Sequence, residues 1–84
     1  MTGGLRLRKA IVATQKELIE YQRTHRLSVR ARARLEDAIE VLAQARYVQV
    51  GQEGDAYAKA QRVVDFIAEH GIRGIVFGTG VPGL

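Results

Sequence analysis

Acid–base, nucleophilic or metal chemistry in this 84-residue sequence would run through few side chains. They are His25 and His70, the single serine Ser28, and a carboxylate cluster of Glu36, Asp37 and Glu40. There is no cysteine, which removes disulfides, thiolate nucleophiles and cysteine-based zinc sites. A metal site without cysteine needs paired histidines, or histidine with carboxylates, at helical spacing. Neither histidine has such a neighbour, so each reads as a surface histidine near a helix end. Ser28 has no histidine placed by sequence to activate it and is better used as a helix N-cap, its hydroxyl accepting from an orphan N–H of the next turn. Glu36 and Glu40 fall on the polar side of a predicted helix. Arg32 stands four residues before Glu36, and Arg34 three before Asp37. A solvated, self-paired face explains the cluster better than an acid/base pair.

Gly78-Thr-Gly-Val-Pro-Gly83 matches the letters of a dinucleotide-binding loop. That loop works only if a helix opens at its third glycine and meets the pyrophosphate, with an acidic residue about 20 positions on. Only Leu84 follows, so the match reads as coincidence in a glycine-rich tail. The sequence therefore predicts no enzyme, no catalytic residue, no cofactor, no metal and no small-molecule substrate.

The basic residues carry a stronger signal. Residues 23–34 hold five arginines, Arg23, Arg26, Arg30, Arg32 and Arg34, around a predicted turn. Cations in the first turns of a helix oppose its dipole. Arg6, Arg8 and Lys9 would sit at the start of one helix, and Arg30 and Arg32 at the start of the next. Such a cluster suits phosphate contacts or an acidic protein surface. A solubilising surface is the plainer account. Against nucleic acid, the predicted third helix carries Lys59, Arg62, Asp65 and Glu69, which cancel, so it is no basic recognition helix.

These residues are positioned by amphipathic helices. Leu7, Ile11, Thr14, Leu18 and Tyr21 recur at four-three-four-three spacing and predict a helix over 5–24, widened on one side by Val12 and Ile19. Ala31, Leu35, Ala38, Leu42 and Ala45 repeat that spacing over 29–49, with Ser28 as N-cap and alanines that allow close helix approach. A connection of about four residues makes the two antiparallel neighbours. Residues 47–50 either finish the second helix, the favoured reading, or form a short strand. Asp55 is the predicted N-cap of a third helix over 56–70, with Tyr57, Ala60, Val64 and Ile67 as its stripe and Gly71 as its stop.

The expected fold is thus all-α: an antiparallel helical hairpin plus a third helix in a domain over 1–71. A glycine-rich, flexible or extended tail follows over 72–84, in which 75–77 is a candidate short strand. The sequence carries four more Lys and Arg than Asp and Glu, and the split is uneven: nine against two in residues 1–34, four against seven in 35–84. No run approaches the roughly 18 apolar residues of a membrane span, and none resembles a secretory leader, so a cytoplasmic protein away from membranes is expected. A chain this short gains from a partner that covers more of its surface. The expected function is a small protein-interaction module of the adaptor, co-chaperone or inhibitor type. It would dimerise with itself or dock on another protein through Val12, Ile19, Val41, Ile75, Val76 and Phe77. The basic tip would steer it to an acidic surface. The alternative is a nucleic-acid-binding accessory protein that contacts phosphates through the five arginines.

Overall fold

A computed structural model describes residues 2–48, 51 and 53–84, with side chains over 6–48, at 51 and over 54–84. Three helices follow in order: α1 (Thr2–Thr24), α2 (Val29–Arg46) and α3 (Glu53–Val76). No strand occurs among the described residues. Gln22 Nε2 donates to Glu36 Oε1 at 3.2 Å, and Arg46 Nη1 to Gln15 Oε1 at 3.0 Å. Position falls along α1 as it rises along α2, so the two run antiparallel. Arg8 Nε meets the Tyr57 hydroxyl at 2.7 Å near the starts of α1 and α3, while Ile72 reaches Tyr21 and His25 near their ends. The bundle is therefore up-down-up. Its radius of gyration, 12.4 Å, is close to the value of about 12 Å for a compact chain of this length.

The α2 stripe supplies the centre of the core. Ala31, Leu35, Ala38, Leu42 and Ala45 are all buried, as their spacing predicts. The alanines let α1 and α3 approach the α2 backbone, and the leucines interlock between them. Ile11 and Leu18 enter from α1, and Ala60, Val63, Ile75 and Val76 from α3. In α1 the register is turned slightly from the expected one. Gln15 is buried in place of Thr14, which is only half-buried. Its amide oxygen accepts from Arg46, and no buried side-chain polar atom among the described residues lacks a partner. Replacing Gln15 with alanine should cost about 1–3 kcal/mol, since it removes packing and a hydrogen bond to a charged donor together. Urea unfolding would read the cost.

Helix ends follow local chemistry. Ser28 caps α2 as expected, its Oγ accepting from Ala31 N–H at 3.1 Å. Tyr47 and Val48 do not extend the helix: α2 stops at Arg46, and Tyr47 takes a non-helical conformation while its N–H donates to Ala43 O. The remainder of that stretch, Gln49 and Val50, lies outside the described residues. Asp55 is not the N-cap of α3. The helix starts at Glu53, and Asp55 falls in its first turn, where its negative charge suits the dipole.

The expected boundary at Gly71 is a bend inside α3. Gly71 has φ 72° and ψ 175°, a region open essentially only to glycine. The helix breaks there and resumes over 72–76, which carries Ile75 and Val76 into the core. The second segment lies close to the first: a Cβ on Gly74 would come within 2.8 Å of His70 Cβ and 3.1 Å of the Phe66 ring. The candidate strand at 75–77 is thus corrected to the final helical turn plus an exposed Phe77. Packing into a pre-formed helical core offers burial that an isolated edge strand could not. Gly71→Ala should destabilise the fold by about 1–3 kcal/mol although the site has room for a methyl, because the cost lies in the backbone conformation. Thermal unfolding followed by circular dichroism would show it.

Candidate protein-docking surface

The hairpin tip is built by side chains that end α1 and start α2. Tyr21 and His25 stack with ring centroids 3.7 Å apart and 5° between planes. His25 N–H donates to Tyr21 O at 3.1 Å, and Thr24 Oγ1 donates to Glu20 O at 2.9 Å. With Ser28 capping the other side, the turn is held at both ends. Arg26 projects from the turn itself.

The five arginines divide. Arg26, Arg30 and Arg32 are exposed and make no hydrogen bond or ion pair with any described residue. Arg23 is exposed and only 3.9 Å from Glu20, a surface contact worth little. Arg34 is different and corrects its placement at the tip. Its Nε donates to Ile75 O and its Nη2 to Val76 O, each at 2.8 Å. It is a fork that caps the C-terminal carbonyls of α3, a position that favours a cation. Asp37 does not take it. Glu36, expected to pair with Arg32, instead accepts from Gln22.

The apolar candidates divide too. Ile75 is buried in the core and offers no surface, and Val76, though buried, shows only its edge in the hollow beside Phe77. Val41 is half-buried in a hollow it shares with Leu84 of the tail. Val12 is half-buried, while Ile19 is 39% and Phe77 72% exposed. The Arg73 guanidinium lies 5.5 Å from the centre of the Phe77 ring.

Two hollows meet around Tyr21 and His25. One, of about 720 Å³, has Ile19, Tyr21, His25 and Ile72 along it, with Lys16, Glu17, Glu20 and Arg23 as its charged members. The other, of about 260 Å³, lies among His25, Arg26, Leu27, Ala31 and Phe77 and has no carboxylate in its lining. Sequence reading missed this juxtaposition, because Ile72 and Phe77 reach the tip only through the bend at Gly71. It also missed Gln15–Arg46 and Arg8–Tyr57, where long polar side chains pair across elements with no local signal.

The groups first considered for chemistry are engaged otherwise. Ser28 Oγ is the α2 cap. His70 packs on Phe66, with ring centroids 4.7 Å apart, and lies 3.8 Å from Glu69. Among the described residues no three His, Asp or Glu side chains converge as a metal site would need, and no helix is long and apolar enough to cross a membrane. No family model matches the chain, and neither a curated protein nor a solved structure shows significant similarity to it.

Proposed function

We propose that this chain is a non-enzymatic docking module that binds an acidic, partly apolar surface of another protein through its hairpin tip. The supporting observation is the placement of exposed Arg26 on a hollow with Tyr21, Leu27 and Phe77, which meets at Tyr21 and His25 a second hollow holding Ile19 and Ile72; Arg30 and Arg32 follow in the first turn of α2, exposed and without a partner among the described residues. Exposed cations steer encounter and select an acidic partner. Desolvated aliphatic and aromatic contacts then supply the stability that screened surface charges lack. Phe77 and Val29, the latter 87% exposed, add apolar contact beside the arginines.

Phosphate binding is the second reading, favoured by the carboxylate-free hollow at Arg26 and Phe77, where a base could stack. Glu17 and Glu20 on the neighbouring hollow count against it, since a phosphate backbone crossing them is repelled.

The test compares the wild-type chain with Arg26→Glu/Arg30→Glu/Arg32→Glu. Light scattering at 0.1 and 0.5 M salt gives the molar mass, with absorbance at 260 and 280 nm read on the same peak. The docking reading expects a nucleic-acid-free peak and no shift of duplex DNA or RNA at 0.1 M salt. It also expects an acidic protein retained from lysate by the wild type and lost by the triple variant. Binding to both DNA and RNA that falls with salt at a log–log slope of about −2.7, as three phosphate contacts would give, and that the variant abolishes, replaces it with the phosphate reading.

A further inference from the structure

We propose that the outer stripe of α1 is the seat for a fourth helix, an acidic amphipathic helix of a partner protein. The inference rests on the docking reading above and shares its hollow at Ile19, Tyr21 and Ile72, but draws on different cations. Lys9, Val12, Lys16, Ile19 and Arg23 follow one another at three-four-three-four spacing and so lie along one line of α1. This line is separate from the Ile11, Gln15 and Leu18 face that enters the core. It alternates cation and aliphatic residue, so it is a second amphipathic seam on a helix already buried along its first.

The surface along it is open and shallow. A hollow of about 400 Å³ lies among Arg8, Lys9, Val12, Ala13 and Lys16. The larger hollow with Ile19, Tyr21 and Ile72 begins at the same Lys16. Together their lining residues run along α1 from Arg8 to His25, about 25 Å at 1.5 Å per residue, the length of a helix of about 17 residues. Its aliphatic members, Val12 and Ile19, stand seven residues apart, one every two turns, with cations between them, so a neighbouring helix would meet two apolar contacts framed by charge.

Charge identifies the occupant. Lys9, Lys16 and Arg23 recur every seven residues, so the complementary helix carries carboxylates at the same period, flanking its aliphatic stripe. Lys9 and Lys16 make no hydrogen bond or ion pair with any described residue, so both are available to it. A second copy of this chain fits poorly. Laid antiparallel with Val12 against Ile19, it brings Lys16 beside Lys16 and Lys9 beside Arg23, so the stripe is not self-complementary. A nucleic acid would have to cross Glu17 and Glu20, whereas a helix with a mixed face can place its own polar residues around them.

The probe is a fluorescent designed peptide of about 17 residues, helical, with leucines at three-four spacing and flanking glutamates. A counterpart carries lysine at every glutamate position. Anisotropy is read with the wild-type chain, with Lys16→Glu/Ile19→Gln, with Lys9→Glu/Arg23→Glu, and with the tip variant Arg26→Glu/Arg30→Glu/Arg32→Glu. Circular dichroism checks that each is folded, and two stripe variants guard against the loss of one. The acidic peptide should bind the wild type and the tip variant, and at least tenfold more weakly either stripe variant. The basic peptide should bind none. Failure of the acidic peptide to bind the folded wild type overturns the fourth-helix seat and leaves the tip reading standing. Binding lost with the tip variant and kept by the stripe variants also overturns it. So does a wild-type dimer that the stripe substitutions dissociate, because the occupant is then a second copy.

Discussion

Arg34→Ala is expected to lower the stability of the fold by about 2–4 kcal/mol, or roughly 10–25 °C in melting temperature for a domain of this size. The guanidinium donates to two carbonyls at the end of α3, Ile75 O and Val76 O, each at 2.8 Å. Hydrogen bonds from a charged donor contribute about 1.5–3 kcal/mol each, and part of the loss is recovered because water can reach the half-buried site. The carbonyls belong to the turn that carries Ile75 and Val76 into the core, so losing the cap loosens the last segment of α3. The aliphatic stem of Arg34 also supports the tail, lying 3.4 Å from the position a Gly80 Cβ would occupy. Arg34→Lys separates charge from geometry. Lysine keeps the cation near the helix end but offers no planar fork for two acceptors, so it should recover less than half of the loss. Urea unfolding of the three proteins decides the matter. An Arg34→Ala chain as stable as the wild type would remove the cap from this account. By contrast, exchanging Arg30 or Arg32 for alanine should change stability by less than about 0.5 kcal/mol, since both are exposed and have no partner among the described residues.

Leu35→Ala should cost more, about 3–5 kcal/mol. Leu35 is fully buried at the centre of α2, in the core to which all three helices contribute. Truncation removes the transfer free energy of its methine and two methyl groups and leaves a cavity. The flanking Ala31 and Ala38 are too small to fill it. For an 84-residue domain, whose total stability is on the order of 4–13 kcal/mol, that is enough to threaten folding. Leu35→Met should cost less than about 1.5 kcal/mol, because it keeps the volume and adapts its shape. The pair, compared by thermal and urea unfolding, tests whether α2 is the central element. A Leu35→Ala loss under 1 kcal/mol would mean that α1 and α3 close onto each other without it.

Most of the architecture was legible from local pattern. The three-four spacing of Ala31, Leu35, Ala38, Leu42 and Ala45 named the whole buried face of α2, because a helix in the middle of a bundle buries one continuous stripe. Ser28 announced its cap, since its hydroxyl needs only the adjacent turn. The α1 stripe was legible but rotated by part of a turn. Gln15 enters the core because Arg46, far away in sequence, is there to satisfy its amide oxygen.

The helices, their antiparallel hairpin and the basic character of the tip could all be read from the residues alone. These depend on residue periodicity, on caps within four residues and on charge, all of which are local. Which of the five arginines face solvent, and which apolar residues remain on the surface, depends on how the helices pack. Arg34 leaves the tip because the last carbonyls of α3 arrive beside it, over 40 residues later. Ile75 leaves the candidate docking surface, and Val76 keeps only an edge there, because the bend at Gly71 turns the final segment inward, and the same bend brings Ile72 and Phe77 to the tip. Those placements follow from where separate elements meet, and no spacing within one element encodes that.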